Sequence, residues 1–207
     1  LNLNDWNISV FYSYLPVDAT LYKDGTISSL KTDGLHRTLL EMSKKHNVVE
    51  QSAGVDVTWN MRHVSVGMTT LYQHFDTPFS RGTPLYRKYY PNGKNFTNVS
   101  MHYRWYFYKF VFSGETAFSD VYKGWATLNK ITYRFNQKYS VMALQRLFAY
   151  QYVGLRANSF SEEGVVNNES GFYIGGEATP INELKLSTFV DYFYSPWMKY
   201  ATPHTSS

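Results

Sequence analysis

Alternation with a period of two is the feature that most constrains this chain. Ala53, Val55, Val57, Trp59 and Met61 fall on one face of an extended backbone, and Ser52, Gly54, Asp56, Thr58 and Asn60 on the other. The phase returns in Val64, Val66, Met68 and Tyr72, in Val99, Met101, Tyr103, Trp105 and Phe107, and in Leu184, Leu186, Val190 and Tyr192. Strands with one apolar and one wet side, repeated along a chain, are most simply used in the wall of a membrane β-barrel.

Alternation bounded by turn residues predicts about nine strands, near 5–15, 50–61, 63–75, 97–107, 108–118, 121–134, 138–150, 170–178 and 183–194. Several run for ten to thirteen residues, longer than the usual soluble strand of about five or six and suited to a tilted crossing of a bilayer core about 30 Å thick. Tight turns at Arg62-His63 and Asn136-Gln137-Lys138 contrast with long polar segments at 16–49, 76–95 and 151–169. Short turns on one rim and long loops on the other are the asymmetry of an outer-membrane barrel.

Composition agrees. Aromatic residues make up 18% of the chain, with 19 Tyr, 14 Phe and 5 Trp, yet the mean hydropathy is −0.39. Lipid-facing residues diluted by lumen-facing polar ones, with Tyr and Trp at the two interfaces, give that combination. No apolar run reaches the roughly 18 residues of a spanning helix. Cysteine is absent, which removes disulfides, thiolate catalysis and cysteine metal sites. A formal charge of +4, with no basic cluster beyond Lys44-Lys45, gives no reason to expect nucleic acid.

Charge follows the phase. Asp56, His102, Arg104, Lys109, Glu115, Glu177, Lys185 and Asp191 all oppose the apolar series of their strands. A soluble sandwich would share this property, so phase alone keeps both architectures open, and strand length favours the barrel. Two strands disobey: the phase switches near Asn129, which a bulge would explain, and 138–150 is apolar on both faces, which a plug or loop over it would explain. A Thr38-to-Glu41 capping box before Leu39, Leu40 and Met42, followed by Lys44, Lys45 and His46, predicts one short helix over 34–46 resting against the barrel mouth.

Catalytic and cofactor signals are weak. His36, His46, His63, His74, His102 and His204 are scattered, with no pair at ligand spacing. Ser100 and His102 share a strand face but lie about 7 Å apart along it, too far for a direct hydrogen bond. Gly171 and Gly175-Gly176 sit inside a strand pattern and predict close packing or a bulge, not a phosphate cradle. Glycosylation tripeptides at Asn7, Asn95, Asn98 and Asn168 are of a kind frequent by chance. Six lumen-phase charges remain as the site candidates: Asp56, Arg104, Glu115, Glu177, Lys185 and Asp191. They could line a water-filled path or pair across a filled interior.

The run Thr32-Asp33-Gly34-Leu35-His36-Arg37-Thr38 with Glu41 and Lys44-Lys45, then Gly114-Glu115-Thr116-Ala117, Ala126-Thr127-Leu128-Asn129 and Asn168 to Gly175, resembles the Bacteroidota-type outer-membrane barrels fused to a helix-hairpin-helix region, often labelled competence-like. The likeness is to the barrel portion, without the helix-hairpin-helix segment, so DNA binding does not carry over. It implies an outer-membrane location and a barrel larger than nine strands.

The expectation is therefore an all-β protein: an antiparallel transmembrane β-barrel in a single domain over 1–207, incomplete at one or both ends, with one short loop helix. The expected function is non-enzymatic, as a channel or a structural component of an envelope assembly. No cofactor or metal is expected; the partners are the lipid bilayer and other outer-membrane or surface-lipoprotein subunits. Rival readings are an outer-membrane barrel hydrolase and a soluble carbohydrate-binding β-sandwich.

Overall fold

A computed structural model describes residues 2–3, 5–162, 164–181 and 183–200. The elements are β1 (Asn2–Leu3), β2 (Trp6–Leu21), β3 (Ile27–Lys31), α1 (Leu39–Met42), β4 (Val48–Asn60), β5 (Val64–Phe79), a 3-10 turn at Leu85–Arg87, β6 (Gly93–Phe107), β7 (Phe110–Ser119), β8 (Trp125–Arg134), β9 (Tyr139–Phe148), β10 (Glu169–Ile181) and β11 (Leu184–Tyr194). All eleven strands belong to one sheet, so two packed sheets are not the architecture. From β4 to β11 each strand pairs antiparallel with the next in sequence. The short β3 extends the lane of β4, pairing β2 beyond Asp18 and meeting β5 in parallel at Phe79. Among the described residues β2 and β11 make no contact, so the sheet is open between them.

Register fixes which residues share a face. One row runs Thr58, Gly67, His102, Glu115, Leu128, Arg146, Gly171 and Phe193. This is the covered, concave face, because the 149–168 segment lies against it: Val153 N–H donates to Ser119, Arg156 bonds Glu50, and Phe160 packs on Tyr173. The opposite face is apolar and uncovered. Val10 is 71% exposed, Met101 60%, Ile174 59% and Val190 71%. Large apolar side chains therefore stand uncovered along the whole of this face.

Aromatic residues mark both ends of the convex face. Trp6 stacks on Trp59, Trp105 on Phe112, and Phe110 leans on Tyr133 near the short-turn rim. Tyr72 and Trp125 stand towards the long-loop rim. Trp125 to Tyr133 spans eight steps on one strand. At about 3.4 Å per step that is about 27 Å, or about 21 Å of height at a tilt near 40°, close to the lipid band of a barrel.

The core sits inside the long-loop end. Val17, Ala19, Ile27, Val48, Phe75, Phe79, Phe96 and Val153 form one buried cluster, with Phe75, Phe79 and Phe96 in edge-to-face contact. Ala126, Phe148, Tyr152 and Val166 form a second. This crown explains why β2 continues six residues past the predicted end at Leu15. Below Pro16 the outward series is Ile8, Val10, Tyr12 and Tyr14, whereas past it the apolar Val17 and Ala19 lie in the inward series and face the crown, so the dominant apolar phase inverts without the strand ending. Pro16 is tolerated because β2 is an edge strand.

Three expectations need correction. The predicted 34–46 helix is a single turn, Leu39–Met42, with the Thr38–Glu41 capping box formed as expected; Leu39, Leu40 and Met42 are all exposed and do not rest on the mouth. No bulge occurs at Asn129: β7, β8 and β9 stay in register through it, and Asn129 faces outward. The doubly apolar β9 is covered on one face only, by the 149–168 segment over Leu144, Arg146 and Phe148, while Val141 stays exposed.

Candidate functional site

The 149–168 segment leaves β9 and crosses the concave face over β8, β7, β6 and β5 to reach β4. Its sequence carries the reason. Tyr152 and Val153 enter the two buried clusters, and Arg156 and Phe160 make the next contacts with the wall. Its first turn is seated on the β7–β8 connection: Ala149 N–H donates to the Trp125 carbonyl at 3.0 Å and Val153 N–H to Ser119 Oγ at 3.0 Å. Gly124 leaves the space for it, since a Cβ there would stand 2.2 Å from the backbone of Gln151 and Tyr152.

The middle of the segment is fixed by charge. Arg156 donates to the buried Glu50 carboxylate, whose Oε1 also accepts from Gln73 Nε2 at 2.8 Å and Ser52 Oγ at 2.9 Å. The returning end meets a second ionic cluster. Arg146, fully buried, donates through Nε to Glu169 and through Nη1 and Nη2 to the two Asp191 oxygens at 2.8 and 3.0 Å. Its guanidinium lies between Phe160 and Phe193, 5.2 and 5.6 Å from the ring centres. Glu169 reaches on to accept from Glu162 N–H at 3.1 Å. At Gly171 a Cβ would lie 3.0 Å from Arg146 Cζ, so the close packing predicted for this glycine makes room for the guanidinium.

Beneath this segment, at the short-turn rim, the concave face opens into a cavity of about 790 Å³. His102, Arg104, Glu115 and Lys130 line its wall, and Ser159 and Phe160 of the crossing segment form its end. Asp56 lies alongside, accepting from Thr58 Oγ1 at 3.0 Å and Thr69 Oγ1 at 2.7 Å. With the Thr58 proton given to Asp56, His102 Nε2 at 3.2 Å must donate to Thr58. Acid, hydroxyl and imidazole thus stand in an order that leaves the imidazole unable to take the hydroxyl proton, unlike a nucleophile–base pair.

The six predicted site residues therefore part company. Asp191 is bound in the Arg146 cluster, and Glu177 pairs with Lys185 at 2.9 Å on the exposed β10–β11 end. Asp56 is held by two threonines, whereas the side chains of Arg104 and Glu115 line the cavity with no hydrogen bond or ion pair among the described residues. Sequence reasoning missed Glu50, Arg146, Arg156 and Glu169. Arg146 and Glu50 were readable from phase, since each shares the inward series of its strand. Arg156 was not, because it comes from a segment without periodicity, and Glu169 stands at the very start of β10, one residue before the predicted strand. His204 lies outside the described residues, and among those described no cluster of three or more His, Asp or Glu could hold a metal.

The chain matches no family model. Comparison with curated proteins and with solved structures gives no match either.

Proposed function

We propose that this chain is part of the wall of a bacterial outer-membrane β-barrel whose lumen is closed by its own 149–168 segment, and that it is a non-enzymatic component of an envelope assembly. The observation that carries this reading is the inverted distribution of polarity. The convex face of β2 and of β4 to β11 is predominantly apolar between its aromatic ends, Asn129, Gln145 and scattered threonines apart, and carries no Lys, Arg, Asp or Glu there, while the ionic clusters lie on the concave side. An exposed apolar surface of this extent suits lipid and not water.

Open edges favour a larger barrel. Phe11 and Leu15 on β2 and Phe189 on β11 face the concave side yet are more than half exposed. In a bilayer no unpaired edge is tolerated, so further strands must close the gap. The plug favours an assembly role over free diffusion, because apolar and ionic contacts fill the long-loop half of the lumen.

Fractionation tests the reading. The protein should sediment with the outer membrane and need detergent for release. A monodisperse soluble protein obtained without detergent would overturn it.

A further inference from the structure

Resting on the wall reading above, we propose that the convex face of β6 to β9 is a contact surface for a second copy of this chain within the membrane, centred on Asn129 and Gln145. Asn129 stands midway between Trp125 and Tyr133, at the level where a barrel wall meets the middle of the hydrocarbon. Five side chains with polar groups gather there on a predominantly apolar face. Asn129 Oδ1 accepts from Tyr103 Oη at 3.0 Å, and its Nδ2 donates to Thr127 Oγ1 and to Gln145 Oε1, both at 3.3 Å. Thr127 Oγ1 donates to the Glu115 carbonyl at 3.2 Å, which makes Thr116 the donor in the 2.8 Å contact between the two threonines.

The cluster has a built seat. A Cβ on Gly114 would fall 2.4 Å from Asn129 Oδ1 and 2.8 Å from the Tyr103 ring. Glycine on β7 therefore leaves a shallow recess in which the Tyr103–Asn129 bond lies. Exposed Met101, Phe118 and Phe172 surround it.

Counting protons and lone pairs shows what is left over. Both Asn129 amide protons are used, whereas Gln145 Nε2 has no acceptor among the described residues. Tyr103 Oη and Thr116 Oγ1 retain lone pairs. In hydrocarbon no water supplies the missing partners, so a lipid contact here is costly. A patch that holds both an unspent donor and unspent acceptors satisfies itself across a twofold axis: Gln145 of one copy donates to Tyr103 or Thr116 of the other, and reciprocally. The apolar rim then closes around the polar centre.

The chain has no cysteine, so single-cysteine cross-linking reads the contact directly. Met101→Cys, beside the patch, treated in native outer membranes with a short bis-maleimide should give a dimer of twice the chain mass, whereas Val190→Cys on the β11 edge should not. Adding Asn129→Leu and Gln145→Leu should abolish that dimer while insertion persists, because leucine suits a lipid-facing position. Inserted Met101→Cys protein that stays monomeric, or that cross-links to a different polypeptide, overturns this inference and leaves the wall reading standing. Failure to insert overturns both.

Discussion

Arg146 concentrates the electrostatics of the concave face in one side chain. It is fully buried, meets two carboxylates and is flanked by two aromatic rings, so deleting it strands two charges in a closed space. Arg146→Met is expected to cost about 3–5 kcal/mol in reversible unfolding from lipid vesicles, and replacing Glu169 and Asp191 by apolar residues as well should recover most of that loss. Val57 and Thr58 probe the two faces of β4. Lysine at the convex Val57 should destabilise by about 2–4 kcal/mol, whereas at the concave Thr58 it should be milder, since Asp56 lies within reach. Equal tolerance at both positions would contradict the assigned faces.

At the level of elements the 149–168 segment carries the functional consequence, and its two anchors can be loosened separately. Gly124→Ala forces a Cβ into the backbone of Gln151 and Tyr152, and Arg156→Gln removes the ion pair with Glu50. Both variants should expose the segment to protease and raise single-channel conductance in planar bilayers above that of the parent. A pH response follows from Tyr152, whose phenol burial pushes up to about 12 from an ordinary 10.0, with the Glu115 carboxylate adding to the effect. The folded state holds this proton more tightly than the unfolded chain does. The segment's stability is therefore complete below about pH 10 and falls as pH rises towards about 12. Tyr152→Phe should flatten that alkaline loss in protease-protection curves. The nine long strands were legible because alternation is local, and so was the Thr38–Glu41 cap. The path of 149–168 was not, because contacts such as Arg156 with Glu50 depend on curvature of the whole sheet. β3 was hidden for a similar reason: Ile27–Lys31 is short, and its pairing to β2 and β5 is set by where β4 begins.

For the whole molecule, an open sheet with an apolar convex face and an ionic concave one makes sense when lipid lies outside and protein closes the gap between β2 and β11. The sequence's alternation anticipated those faces, while the open edges and the crown at the long-loop end emerge only from the pairing. A scan of single cysteines from Ser52 to Trp59 in opened native envelopes, read by a water-soluble maleimide, decides whether lipid covers the convex face. A period of two is expected: Ala53, Val55, Val57 and Trp59 shielded by lipid, and Asp56 and Thr58 beside the cavity reactive. Free labelling of the Ala53 to Trp59 series would contradict a lipid-facing wall.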